Sequence, residues 1–129
     1  MHRVVDAMNV IGSRPDGWWR DRRGAIERLA GQLETWARGT GERVTLVLER
    51  PPAPALAVRA IEVEWAPRPA PNSADAEIVR RLPGWLEDGG EVVVVVTSDR
   101  ELAGQAAALG AGVEGSSGFR RRLEGSLAR

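Results

Sequence analysis

The chain has no cysteine and no lysine, and its single histidine, His2, stands beside the first methionine. Without cysteine there is no disulfide, no thiolate nucleophile and no zinc–thiolate site. Without lysine there is no Walker-type phosphate loop, which closes on Gly-Lys-Ser/Thr, and no Schiff-base chemistry. The same absence argues against those α/β phosphate enzymes that pair an aspartate-ended first strand with a lysine. A lone histidine leaves a Ser-His-Asp triad or a histidine-rich metal site without members. Long apolar runs are missing too. The longest, Val92 to Val96, falls far short of the ~20 residues that cross a bilayer. Asp6 interrupts the N-terminal apolar stretch too early for a secretory signal, so a cytoplasmic location is expected. No excess of one charge exists either: 18 basic residues, all arginine, balance 18 acids. No global field draws in a polyanion, so a nucleic acid would have to meet a local basic patch.

What is present reads as one soluble domain over residues 1–129. That length buries roughly two-thirds of the unfolded surface, and a hydrophobic content of 43% is ordinary. Strand and helix patterns alternate. Residues 3–7 form a strand, and 9–20 a loop marked by Gly12, Pro15 and Gly17. Residues 21–38 carry a helical apolar stripe through Ala25, Leu29, Leu33 and Trp36, closed by Gly39 and Gly41. Strands follow at 43–48 and 61–65. Ser73 is the expected N-cap of a helix reaching residue 86. Residues 91–96 form a central strand, 100–109 a helix, the region near Val113 a short strand, and 118 onward a last helix. This order predicts a three-layer α/β/α sandwich with a mostly parallel central sheet.

Only six residues are aspartate, and three of them occupy telling positions. Asp6 ends the first strand, where ligands and metals gather in open α/β sheets. Asp99 follows the central strand directly. Asp75 lies in the first turn of the helix that Ser73 opens. If the two strands are parallel neighbours, the three carboxylates converge on one sheet edge. Clustered carboxylates do not all stay ionised without a cation, and oxygen-only ligands suit Mg²⁺ or Mn²⁺. The matching chemistry is metal-assisted phosphodiester hydrolysis. Asn9 could orient the site, and Thr97 and Ser98 could hydrogen-bond its ligands. Simpler readings stand beside this one. Asp75 and Glu77 favour the helix dipole in any case, and Asp99 serves equally as a cap for the helix that follows. Glu49, after the second strand, is a weaker fourth candidate.

Three motifs carry a family resemblance. Val5-Asp6-Ala7-Met8-Asn9-Val10-Ile11-Gly12 resembles the Asp-Gly-Tyr/x-Asn-Val-Ile-Gly opening of the NYN domain in its YacP-like branch, part of the PIN-like nuclease superfamily. Asn72-Ser73-Ala74-Asp75-Ala76-Glu77-Ile78 resembles that branch's Thr-Ala-Asp helix start. Val95-Val96-Thr97-Ser98-Asp99, with Gln105 downstream, resembles its Val-Val-Thr-Ser-Asp segment. Their order and spacing fit over nearly the whole chain. The resemblance implies a PIN-like fold and a metal-dependent ribonuclease, with Asp6, Asp75 and Asp99 as metal ligands and Asn9 and Ser98 as polar residues of the catalytic site. The sequence departs from the pattern in two places. Ala7 replaces the usual glycine, and Ile78-Val79-Arg80 lacks an acid just after the isoleucine, leaving one ligand fewer unless Glu77 turns in.

The loop leaving the same edge carries Arg14, Arg20, Arg22 and Arg23 with Trp18 and Trp19. Arginines neutralise phosphates and an exposed tryptophan stacks on an unpaired base, while at least one of the tryptophans is expected to be buried beneath the loop. Arg120-Arg121-Arg122 reads as a solvated helix face. The leading reading is an endoribonuclease acting on single-stranded or structured cellular RNA through an Mg²⁺ or Mn²⁺ site. One alternative is a catalytically weak RNA-binding module working within a ribonucleoprotein complex. Another is an α/β interaction domain whose carboxylates are only caps. The sequence leaves the oligomeric state open, a homodimer included.

Overall fold

Five short strands pair into one sheet in the computed structural model, which describes residues 1–88 and 90–127. The elements run β1 (His2–Asp6), α1 (Ala7–Ile11), a 3₁₀ turn (Trp18–Arg20), α2 (Arg22–Thr40), β2 (Arg43–Leu48), β3 (Glu62–Trp65), α3 (Ser73–Glu87), β4 (Val93–Val96), α4 (Arg100–Leu109), β5 (Gly112–Glu114) and α5 (Ser116–Leu127). Every strand pairing is parallel, in the order β3-β2-β1-β4-β5. The three-layer α/β/α architecture expected from the sequence is the one found. Among the described residues no helix is long and apolar enough to cross a membrane.

The layers follow from the strand period of two. Val5, Leu46 and Val96 face one side and meet Leu29, Leu33 and Trp36 of α2 and Phe119 and Leu123 of α5. Val4, Val47 and Val95 face the other and meet Ile78 and Leu82 of α3 and Leu102 and Ala106 of α4. Both faces of the inner strands are buried, which is why β4 reads as a continuous apolar run.

Three local expectations are corrected. Residues 9–20 are not all loop: α1 continues from β1 as one helical turn, burying Ala7, Val10 and Ile11. Five residues are too few to show a helical period, and the turn signals behind them dominate the reading. Gly12 ends this turn with its N–H on the Met8 carbonyl at 2.8 Å, so close that a Cβ there would stand 2.9 Å from that oxygen. Ser73 is not the N-cap of α3 but its first residue. Asn72 precedes it in the left-handed region at φ 60°, and the Ser73 hydroxyl donates instead to the Glu49 carbonyl at 2.9 Å. The last helix starts at Ser116 rather than 118.

The N-terminal edge of the sheet is tied by charge. Arg3, only 3% exposed, donates to both oxygens of Glu42 at 3.1 and 3.0 Å and also pairs with Glu114. Its guanidinium lies 5.0 Å from the Phe119 ring centre. Burial pushes the Glu42 carboxyl up, but hydrogen bonds from Arg3 and Trp36 outweigh it and hold it below its usual range. The opposite edge is free for a site.

Candidate active site

The sheet order reverses direction between β1 and β4. The chain leaves β1 toward β2 on one side, and β4 leads to β5 on the other, so the crevice beyond their C-terminal ends is the topological switch point. Asp6 is the last residue of β1 and Thr97 the first after β4, with Val5 opposite Val96 in register. Asp75 comes to the same edge because α3 is anchored there. The Ser73–Glu49 bond fastens the first turn of α3 to the end of β2.

Asp6 is 3% exposed. Its carboxyl is pushed up to about 8, first by burial and then by the hydrogen bond and charge of Asp75, against smaller opposing contributions from the Asn9 backbone N–H and the Thr97 hydroxyl. The Thr97 Oγ1 stands 3.5 Å from Asp6 Oδ2 and itself accepts from the Asp99 N–H at 3.1 Å. Asp75 thus stands beside Asp6, and without a cation its charge favours the protonated form of the Asp6 carboxyl. Asp99 is the N-cap of α4, its Oδ1 accepting from the Leu102 N–H at 2.9 Å. The capping reading of Asp99 is therefore correct. The residue also lines the same cleft of about 240 Å³ as Asp6, Asn9, Glu49 and Asp75. Among the described residues no three carboxylate or histidine side chains stand close enough to hold one ion by themselves. The donor chemistry still fits a hard cation. The neighbouring pair Asp6–Asp75 supplies only oxygens, and Mg²⁺ characteristically takes one or two carboxylates and fills its remaining positions with water and phosphate. Glu77 does not turn in. It is buried among its own arginines, accepting from Arg80 at 2.9 and 2.6 Å and from Arg81.

Asn9 and Ser98 are brought to the site but act as braces. The Asn9 Oδ1 accepts from the Ser98 N–H at 2.8 Å and from the Ser116 hydroxyl at 2.5 Å, and the Ser98 hydroxyl accepts from the Ser116 N–H at 2.9 Å. These bonds lock the turn after β1, the loop after β4 and the start of α5 together. Ser116, fully buried, is the member that the sequence reading missed. Its only signal was its place at the end of a short strand. Asn9→Ala leaves the Ser98 N–H and the Ser116 hydroxyl without their acceptor. It should cost about 1–3 kcal/mol in urea unfolding, with a change in midpoint and none in slope.

Asp99 admits a sharper test, because asparagine caps a helix about as well as aspartate. Asp99→Asn should leave stability within about 0.5 kcal/mol of the parent, and Asp99→Ala should lose about 1 kcal/mol. Any drop in divalent-ion affinity common to both variants then reports the carboxylate charge rather than the cap, as calorimetric titration would register.

The arginines divide. Arg14 is engaged by Glu124, at 2.7 Å for one of its two hydrogen bonds. Arg23 donates to the Pro54 carbonyl and lies 3.5 Å from Glu27. Arg22 reaches the cleft, with its guanidinium 5.3 Å from the Trp18 ring centre, and Arg20 is exposed. Neither tryptophan is fully buried: Trp18 is half-buried, and Trp19 is 50% exposed and meets it edge-to-face. Arg120 is not on a solvated face. It donates to the Val10 and Ile11 carbonyls at 3.3 and 3.1 Å and to Asp16 at 2.7 Å, closing the end of α1. Arg122 pairs with Glu114.

No protein-family model matches the chain, and no curated protein matches it. Solved structures do. The crystal structure of Rae1 (YacP) from Bacillus subtilis superposes with a TM-score of 0.78 at 23% identity, over 96% of this chain and 74% of that one. A tryptophan-to-leucine variant of the same protein gives 0.73 at 22%, with the same coverage. The likeness is one of fold: the chain has a YacP-like fold.

Proposed function

We propose that the chain is a divalent-metal-dependent endoribonuclease that hydrolyses RNA phosphodiester bonds at the β1–β4 switch point. The observation that carries this reading is the half-buried Asp75 carboxyl standing beside the buried Asp6 carboxyl. Two carboxylates held together under 3% exposure of one of them are costly unless a proton or a cation lies between them. The YacP-like fold and the NYN-like motifs support the same reading. Asp6 and Asp75 would hold Mg²⁺ or Mn²⁺, with Asp99 and Glu49 at the cleft rim. When bound, such an ion stabilises charge on a phosphate and acidifies a water. The chain's own part is positioning. Thr97 and the Asn9 backbone fix Asp6, the Ser73–Glu49 bond fixes the helix that carries Asp75, and the Asn9–Ser98–Ser116 brace keeps the edge from spreading. Arg22, held over Trp18, offers a cation to a phosphate in the cleft, and exposed Arg20 extends that surface. Arg14 would have to give up Glu124 to take part.

A second reading, an RNA-binding module with little turnover, is favoured by the absence of a ready three-carboxylate group among the described residues and by the commitment of Glu77 to Arg80 and Arg81. Purified protein on single-stranded RNA separates the two. Cleavage that needs Mn²⁺ or Mg²⁺ and stops with EDTA supports the nuclease. Binding without cleavage under either metal supports the module. Cleavage that persists in EDTA overturns the metal mechanism.

A further inference from the structure

A second cavity of about 260 Å³ adjoins the carboxylate cleft and shares Met8, Arg22 and Glu49 with it. Its floor is apolar, built from Met8, Ile26 and Leu48, and one wall is Pro51-Pro52. Arg22 and Arg50 stand exposed at its mouth. The wall is fixed rather than loose. Arg23 donates to the Pro54 carbonyl, and the buried Glu34 carboxylate of α2 accepts from the Arg59 N–H and, at 2.9 Å, from the Ala60 N–H. The chain leaving the wall is thereby tied to α2 at Pro54 and again farther on at Arg59 and Ala60. The groove on the other side of the carboxylates has the opposite character. Asp75, Asp99 and Glu101 line it, and its one arginine, Arg80, is taken by Glu77.

We propose that this slot holds one unpaired nucleobase of the RNA, adjacent to the phosphate lying in the carboxylate cleft. The inference rests on the nuclease or RNA-binding reading above and adds a base slot, which narrows the RNA to a single strand entering from the side of β2 and α2. Three observations select this occupant. An apolar slot takes the flat face of a base, whereas a phosphate would gain nothing there. Arginines at the mouth supply cations where the backbone must pass. Continuity through Met8, Arg22 and Glu49 puts the slot one step from the carboxylates, matching the base–phosphate alternation of the polymer. The acidic groove repels the chain on the far side, which sets the direction of approach. A base in the slot cannot remain stacked in a duplex, so paired RNA is excluded.

The test compares a short fluorescent single-stranded RNA with an abasic ribose-phosphate chain of the same length and charge. Fluorescence anisotropy is read with the full chain in EDTA, and Mn²⁺-supported cleavage is measured in parallel. The RNA should bind about tenfold tighter than the abasic chain. Ala53→Leu, which narrows the slot from its rim, should bring the RNA down to the abasic level and leave the abasic affinity unchanged. Arg50→Ala, at an exposed position, should weaken both ligands alike. Equal affinity of the parent for RNA and abasic chain overturns the proposal. So does discrimination that survives Ala53→Leu but is lost in Trp19→Ala, because the base would then lie on the tryptophan. Discrimination without cleavage overturns the nuclease reading and leaves the slot standing. Cleavage without discrimination overturns the slot alone.

Discussion

Asp6→Asn is expected to lower Mn²⁺-supported RNA cleavage by about three orders of magnitude while leaving the metal-free protein at least as stable as the parent. The two halves of this result come from one cause. In the metal-free fold Asp6 is a buried carboxyl beside Asp75, with its titration pushed up to about 8, so near neutral pH it already holds a proton. Asparagine has the same shape and no charge, and its amide can donate a hydrogen bond to the Asp75 carboxylate. Removing the charge therefore relieves repulsion instead of breaking a favourable contact. With a divalent ion the sign reverses. The parent gains an anionic ligand that the variant cannot supply, so Mn²⁺ should raise the melting temperature of the parent and leave that of the variant nearly unmoved. Thermal melts in EDTA and in Mn²⁺, run beside cleavage assays, separate the loss of a ligand from the loss of a fold. A variant that cuts RNA within tenfold of the parent would place the chemistry elsewhere.

That Asp6, Asp75 and Asp99 line one cleft was legible because it follows from topology, although among the described residues the three do not stand close enough to hold one ion by themselves. Acids at the ends of adjacent parallel strands, and at the start of a crossover helix, must meet at one edge. The apolar alternation that sets the layers is equally local. What could not be read is where long side chains end. Arg14 lies 110 residues from Glu124 and Arg120 lies 104 from Asp16, so no window along the chain pairs them. Two of the arginines that spacing offered to RNA or to solvent are in fact fastening α5 to the segment around α1. Ser116 escaped for the same reason, since its partners Asn9 and Ser98 come from two other loops. Glu77 is the instructive case on the other side. Arginines three and four residues ahead on a helix are its natural partners. The sequence reading left open whether Glu77 turns in to the carboxylate site; Arg80 and Arg81 hold it instead.

The stability of the metal-free chain should be nearly flat from about pH 4.5 to 6.5 and then fall toward pH 8, because two buried groups at opposite edges of the sheet work against each other. His2 is fully buried, with Nε2 2.7 Å from the Thr45 hydroxyl and Nδ1 without a hydrogen-bond partner among the described residues. Burial, followed by the charge of Arg43, lowers its titration from 6.5 to about 4. Between those values the unfolded chain binds the proton more readily, so His2 makes stability rise with pH up to about 6.5 and adds no slope above it. Asp6 is raised from 3.8 to about 8. Between those values the folded chain keeps a proton that the unfolded chain has released, so Asp6 makes stability fall with pH throughout. The slopes nearly cancel while both act, and only the fall remains above pH 6.5. At about 1.4 kcal/mol per unit, that fall is on the order of 2 kcal/mol by pH 8. Below about pH 4.5 the lowered carboxyls of Glu42, Glu62 and Glu77 become protonated and their stabilisation is lost. Urea unfolding across this range, in EDTA, reads the curve directly. Asp6→Asn removes the falling limb and uncovers the His2 rise, so its stability should climb to pH 6.5 and then stay level. Saturating Mn²⁺ should also abolish the parent's fall, since the carboxylates are then ionised in the folded state. A parent whose metal-free stability climbs or holds level from pH 6.5 to 8 would mean that the Asp6 carboxyl is not raised by its burial and by Asp75, and the site would have no need of a cation.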